Sequence, residues 1–363
     1  MNRKLRFDPI LFATATLLPL FGLVMIYSAS GLLAEHRYDD PYHFLTRQLI
    51  SLLIGFAALL AAMHFDYRSY AKHWFVYGLF LGSCLLLIAT LLINTGPTAQ
   101  RWLRAGQLSF QPSELAKLGL VLFLAHHLAR RRNKVDDPLT NLLPCLLVMA
   151  TLAFLIYLQP DLGTALSIGI IGAMLLFVAG IPFRHLAVLG AAGGGLLFIG
   201  LGQRPYFLER VNTFLNPNAD LLGAGFQGHQ SLLAFGSGGL TGLSLGEGRQ
   251  KLFFLPEPHT DFIYSIIGEE LGFIGTCLVL AAFGLLLWRG VVSSLRAPCL
   301  FGKYLAAGIT FLIVLQALEN MAITLRMIPT TGITLPFLSF GGSSLVMMMM
   351  SMGILLNISQ HAR

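Results

Sequence analysis

The sequence predicts an all-α, polytopic integral membrane protein of about ten transmembrane helices, with a long outer loop before the eighth. Three observations lead there. Hydrophobic residues make up 55% of the 363 positions and charged residues only 11%, the balance of a chain whose solvent is mostly lipid. Uncharged stretches of roughly 20 residues, each long enough to cross about 30 Å of hydrocarbon, recur along the whole length. They recur too closely for a large soluble domain, so residues 1–363 read as one membrane domain.

The spans run from Pro9 to Leu33, Gln48 to Phe65, Trp74 to Ile93, Leu115 to Ala129, Leu142 to Leu158, Leu162 to Ile181, His185 to Gly202, Phe262 to Trp288, Leu305 to Leu325 and Phe337 to Ile358. The first follows a basic head, but its apolar stretch is long and no clean small-residue cleavage site follows, so it reads as a retained anchor. The fourth is the weakest, being short and carrying Lys117, His126 and His127. An even number of spans puts both termini on one side. With the N-terminus cytoplasmic, inner segments hold fourteen lysines and arginines and outer segments nine, as the positive-inside rule requires. Topology and anionic membrane lipids thus account for the net charge of +7, and no nucleic-acid partner is needed. Cys84, Cys145, Cys277 and Cys299 form no close pair, which argues against a disulfide framework or a zinc site.

Polar residues collect in the outer segments. The stretch 203–261 is long, and length of this kind usually serves function. Its many glycines alternate with apolar residues, so it is expected to dip back toward the membrane as protein-buried or cavity-lining backbone. Close packing explains the glycines better than a phosphate cradle, because no Gly-Lys-Ser/Thr element is present. A second outer loop, from Asn94 to Leu120, brings Arg101, Arg104, Glu114 and Lys117 to the same face. Glu114 and Lys117 share a helix face three residues apart, so pairing and ligand contact are compatible readings. Glu269, Glu270 and Glu319 lie inside spans and must face protein or water, most simply as hydrogen-bond acceptors for a neighbouring span. Met347 to Met350 reads as lipid-facing or adaptable packing.

Asp261 carries the sharpest chemistry. It stands at the water-facing end of the eighth span, in the run LPEPHTDFIYSIIGEELG from Leu255 to Gly272. A carboxylate there can be partly desolvated, which raises its pKa and suits it to act as a general base. Thr260-Asp261 before an apolar run is equally an ordinary helix start, with the acid as a cap. Glu257, His259 and the outer arginines, gathered on the same face, favour the base.

These residues resemble the SEDS family of shape, elongation, division and sporulation proteins, over nearly the whole chain. The resemblance rests on GLVMIYSAS at Gly22 to Ser30, DPYHFLTRQL at Asp40 to Leu49, RWL at Arg101, QPSELAKL ending at Leu118, QPDLGTA at Gln159 to Ala165, LPEPHTDF at Leu255 to Phe262 and LSFGGSS at Leu338 to Ser344. It is stronger to the division branch than to the elongation branch. Many division members have Pro-Thr-Lys-Gly where this chain has Pro329-Thr330-Thr331-Gly332, so that lysine's role is absent here or filled by another cation such as Arg326.

The resemblance implies a peptidoglycan glycosyltransferase of the bacterial cytoplasmic membrane acting on lipid II and a nascent glycan strand, with a class B penicillin-binding protein as partner. It maps the acid of the HTDF motif to Asp261, and the binding residues to Arg101, Glu114 and Lys117. The expected site comprises Asp261 as base, with Arg101, Arg210 and Lys117 compensating diphosphate charge and His259 and Thr260 flanking the substrate. A divalent cation, Mg or Mn, is a further candidate source of positive charge, and no other cofactor is expected. A lipid II flippase and a non-catalytic scaffold for the transpeptidase are the alternative functions.

Overall fold

A computed structural model describes residues 7–93, 101–105, 108–131, 142–202, 205–216, 225–252 and 254–362. Twelve α-helices lie among them: α1 (Pro9–Tyr38), α2 (His43–His64), α3 (His73–Ile93), α4 (Pro112–Arg130), α5 (Leu143–Leu158), α6 (Leu162–Val178), α7 (Phe183–Gly202), α8 (Pro205–Leu215), α9 (Phe226–Gly238), α10 (Ile263–Arg296), α11 (Leu300–Thr324) and α12 (Gly342–His361). A 3₁₀ turn, Tyr67–Ala71, joins α2 to α3, and a small antiparallel hairpin, β1 (Leu103–Ala105) and β2 (Leu108–Phe110), precedes α4. Each of the ten expected spans coincides with a helix. Six of these, α1, α2, α3, α10, α11 and α12, are long and apolar enough to cross a membrane, and α5 and α6 are shorter apolar helices.

The span that reads weakest in the sequence is the most enclosed. Helix α4 is buried along nearly its whole length and packs on α3, α5, α6, α11 and α12. Its low hydropathy follows from that position, because a helix surrounded by protein can carry polar groups that find partners. The four consecutive methionines belong to α12, where Met347, Met348 and Met349 are buried. Met349 packs on Gly55 of α2, and Met350 is half-buried, so the run serves packing within the bundle.

Contacts between helix ends define the two faces of the bundle. At one end the Asp8 amide donates to Ser359 Oγ at 3.2 Å, Arg289 Nε donates to Asp8 Oδ2 at 2.8 Å, and the Tyr67 amide donates to Asn357 Oδ1 at 2.9 Å. The start of α1 and the end of α12 therefore lie together. The opposite end gathers the starts of α2, α4, α10 and α12 and the end of α11. His259, just before α10, packs there on Phe44 of α2 and on Phe340, just before α12, at ring distances of 4.3 and 5.5 Å.

The long stretch before α10 is partly helical, containing α8 and α9, and residues 203, 204, 217–224 and 253 lie outside the described positions. Its glycine-rich part touches α10 at Gly238, Gly242 and Gly248. Helix α10 breaks at Gly272, whose φ of 67° and ψ of −163° no ordinary side chain favours. The break frees backbone groups, and residues 239–244 satisfy them. Leu243 and Ser244 amides donate to the Glu269 and Glu270 carbonyls at 3.0 and 3.1 Å, while Phe273 and Ile274 amides donate to Gly239 and Leu240 at 2.9 and 3.2 Å. A side chain on Gly238 or Gly242 would run into the carbonyls of Gly268 and Glu270. Close packing explains Gly238 and Gly242, whereas Gly236, Gly239 and Gly246 have open space at the Cβ position and residues 239–247 are mostly exposed.

Candidate active site

Asp261 sits in the turn that leads into α10. Pro258 follows Glu257, and the chain turns so that the Thr260 amide and Oγ1 both donate to the Glu257 carbonyl, at 3.2 and 3.1 Å. The N-cap of α10 is Phe262, which makes no side-chain capping bond. The Asp261 carboxylate is thus not spent on the helix start. Asp8 accepts the amides of Ile10 and Leu11 at the start of α1, and Asp161 accepts that of Thr164 at the start of α6. Among the described residues the Asp261 carboxylate accepts no hydrogen bond.

Its backbone is held firmly. Asn320 Nδ2 on α11 donates to the Asp261 carbonyl and to the Ile333 carbonyl, each at 2.7 Å. One turn earlier, Gln316 Nε2 donates to the Thr334 carbonyl at 3.1 Å. Two amides on one face of α11 therefore pin the irregular segment 329–335 beside the acid. Lys117 reaches the same lattice by donating to Gln316 Oε1, and it donates to Glu114 Oε1 at 2.9 Å. Glu114 and Lys117 are both buried, so the geometry gives them a supporting position behind the segment.

Two cations converge on the carboxylate, from two distant parts of the chain. Arg101 Nε donates to the Gln159 carbonyl at 3.2 Å, its Nη2 donates to the Pro160 carbonyl, and its Nη1 lies 3.9 Å from Asp161 Oδ1. A Cβ built on Gly332 would lie 3.5 Å from Asp261 Oδ2 and 3.9 Å from Arg101 Nη1, which places acid and guanidinium beside one exposed glycine. Arg210 on α8 donates to the Thr330 carbonyl two residues away. Arg326 donates to the Thr213 carbonyl of α8 at 3.2 Å and so holds the helix that carries Arg210. The side chain of Arg104 lies outside the described positions.

Burial pushes the Asp261 pKa up to about 6; Arg210 and then Arg101 hold it down, while Glu257 and Asp161 oppose them. The group is mostly ionised at neutral pH yet basic enough to take a proton. His259, expected to flank substrate, is buried against Phe44 and Phe340 instead, and burial lowers its pKa to about 4, so the ring stays neutral. His259 faces the aromatic core while Asp261 lies beside the arginines. Thr260 is half-buried, with its hydroxyl committed to the turn.

Sequence reasoning did not single out Asn320 as a holder of the acid, Gln316, Gly332 or Asp161. Asn320 carried a signal, being an amide in an apolar span. Gly332 has a φ of 79°. Gly332→Ala is expected to cost about 1–3 kcal/mol and to lower turnover by displacing Arg101 from Asp261; a thermal melt and a rate measured on the same preparation check both.

The model for the cell cycle protein family that groups FtsW, RodA and SpoVE matches residues 8–363. The chain belongs to this family. A probable peptidoglycan glycosyltransferase FtsW of Geobacter sp. (strain M18) is 41% identical over 100% of this chain and 99% of the relative. The stage V sporulation protein E of Bacillus subtilis (strain 168) is 42% identical over the same shares. Solved relatives of this FtsW/RodA/SpoVE member include a chain of a peptidoglycan synthase complex that coordinates polymerization and crosslinking, with a TM-score of 0.79, 30% identity and 97% of each chain covered. The rod shape determining protein RodA of Thermus thermophilus matches with a TM-score of 0.72 and 30% identity over 98% of this chain and 97% of that one. With its apolar helices, family membership makes this a multi-pass membrane protein.

Proposed function

We propose that this chain is a peptidoglycan glycosyltransferase that polymerises lipid II, with Asp261 as the general base. The observation that carries the reading is an uncapped, desolvated carboxylate facing Arg101 and Arg210 at the end of a membrane bundle. The 4-hydroxyl oxygen of the acceptor sugar attacks the anomeric carbon of the donor, and Asp261 takes the hydroxyl proton. The bond from that carbon to the diphosphate oxygen breaks, configuration inverts, and undecaprenyl diphosphate leaves. A stabilised diphosphate needs no acid to depart, unlike an ordinary glycoside. It needs positive charge instead, and guanidinium forks match phosphate oxygens.

No site is assigned to a resident Mg or Mn ion. Among the described residues no three His, Cys, Asp or Glu side chains converge, and both Asp161 oxygens are bonded to Thr164. Charge compensation is assigned to the arginines, and no step is given to a metal.

The Asp261 end is assigned to the outer face of the bacterial cytoplasmic membrane and both termini to the cytoplasm, with the ten helices of the sequence reading as crossings. Arg68, Lys72, Arg130, Arg131, Arg289, Arg296 and Lys303 gather at the opposite end, as cytoplasmic segments do. A class B penicillin-binding protein is the partner proposed for the outer loops, supported by the likeness to a synthase complex. Purified protein given labelled lipid II in detergent, with and without that partner, is expected to yield glycan polymer. Movement of lipid II across vesicles without polymer would favour a flippase and sink the assignment.

A further inference from the structure

The Asp261 carboxylate makes no hydrogen bond among the described residues, so its place is set from the backbone side. Three ties hold the turn that bears it. The Thr260 amide donates back to the Glu257 carbonyl at 3.2 Å, the Phe340 amide, just before α12, donates to the His259 carbonyl at 2.8 Å, and Asn320 Nδ2 donates to the Asp261 carbonyl at 2.7 Å. The last acts on the acid itself. The same amide nitrogen also donates to the Ile333 carbonyl, again at 2.7 Å. That second segment borders the positive side of the site: the Thr330 carbonyl accepts Arg210, and a Cβ on Gly332 would touch both Asp261 Oδ2 and Arg101 Nη1. One side-chain amide therefore joins the backbone of the acid to the backbone on which the arginines bear.

Asn320 is fully buried, and its Oδ1 accepts no hydrogen bond among the described residues. Burying an unpaired acceptor works against stability, so packing alone would be served better by an apolar side chain. What asparagine adds is a pair of donors in a fixed fork. Gln316, one turn earlier, holds only the Thr334 carbonyl and does not reach the acid. We propose that Asn320 is a positioning residue for the reaction, fixing the distance between the base and the arginines that face it. The inference rests on the reading of Asp261 as base. Without the fork, the turn is tied to this part of the chain only through the bond between His259 and Phe340, two residues before the acid and seven beyond Ile333. A misplacement of about 1 Å between reacting groups costs on the order of a hundredfold in rate.

The test measures kcat, the acid limb of kcat/KM and the thermal midpoint on the purified full chain with labelled lipid II. Asn320→Leu keeps the volume and removes the donors. It is expected to lower kcat about a hundredfold. It should also move the acid limb up by about half a pH unit or more, because Arg210 and Arg101 lose part of their hold on the carboxyl while Glu257 and Asp161 still oppose them. Asn320→Gln, which keeps the amide one methylene further out, is expected to recover about tenfold of the lost rate. Asn357→Leu is the control: Asn357 is a buried amide at the opposite end, donating to the Met63 carbonyl at 2.8 Å and accepting the Tyr67 amide at 2.9 Å. Its loss is expected to lower the thermal midpoint and leave rate and limb in place. An acid limb that stays or falls in Asn320→Leu, an Asn320→Gln protein no faster than Asn320→Leu, or an equal loss of rate in Asn357→Leu would overturn the role. If Asn320→Leu does not assemble, the limb of Asn320→Gln decides in the same way. Wild-type polymerisation by Asp261→Asn would remove the base itself, whereas an inactive Asp261→Asn beside any of those outcomes removes only the role of Asn320.

Discussion

Asp261→Asn is expected to lower polymerisation of lipid II by about a hundred- to ten-thousand-fold, the usual contribution of a positioned general base, while leaving the protein folded. The two effects separate because the carboxylate makes no capping bond and its ionised form is costly to bury. The sign follows from the pKa values. Folded Asp261 titrates near 6 against an ordinary value of 3.8, so between those pH values the folded state holds a proton that the unfolded state has lost. Stability falls as pH rises through that window, and the cost is full above about pH 6. The asparagine variant escapes it, and at pH 7 to 8 it should melt no lower than wild type; the advantage should vanish below about pH 4. Normal polymer formation by Asp261→Asn, assayed without another polymerase, would refute the role of base.

The same titration shapes the rate. A base must be ionised, so wild-type turnover is expected to fall about tenfold per pH unit below about pH 6. Arg210 is the charge that most holds the carboxyl down. Arg210→Gln should therefore move the acid limb to higher pH, and it should also raise KM as a diphosphate contact is lost. A pH profile unmoved by Arg210→Gln would detach that arginine from the acid. Acting on both the base and the leaving group is the arrangement that differential stabilisation of charge in the transition state requires.

The bundle was legible in the sequence because hydropathy records which surface meets lipid, and all ten apolar runs coincide with helices. Helices α8 and α9 were missed for a related reason: they are short, α8 mixes charged and apolar residues, and α9 carries glycines, so neither reads as an apolar run. The acid was legible because Asp261 stands alone where an apolar span meets a polar turn. Its surroundings were not. Arg101, Arg210 and Gly332 come from three distant segments, and only tertiary folding brings them around one carboxylate. His259 shows the limit of adjacency, since its ring packs in an aromatic core while the acid two residues on lies beside the arginines. The expectation that Glu269 and Glu270 accept bonds from neighbours was met in kind. The Ser28 hydroxyl of α1 is 2.7 Å from both carboxylate oxygens of Glu270, and Glu269 Oε1 accepts the Arg249 amide at 2.8 Å. No pattern in the sequence announces Lys251 as the third member.

That third member carries the largest expected effect on stability. Lys251 Nζ lies 2.7 Å from Glu270 Oε1 and 3.1 Å from Ser28 Oγ, with side-chain exposures of 6% for the lysine and 0% for the glutamate. Lys251 stands ten residues before Asp261, so this triad ties α1, α10 and the segment bearing the acid into one unit. Lys251→Met would leave the Glu270 carboxylate buried with only a hydroxyl for company, and breaking a buried pair from one side costs about 3–5 kcal/mol. The thermal midpoint should drop clearly, and polymerisation should drop with it as the segment 249–261 loosens. Lys251→Met/Glu270→Gln removes both charges and keeps a hydrogen bond to Ser28, so it should recover most of the lost stability. Recovery by the double variant distinguishes an orphaned charge from a lost packing contact, because the methionine is common to both proteins. A Lys251→Met protein that melts within a degree of wild type would show that the triad does not anchor this segment.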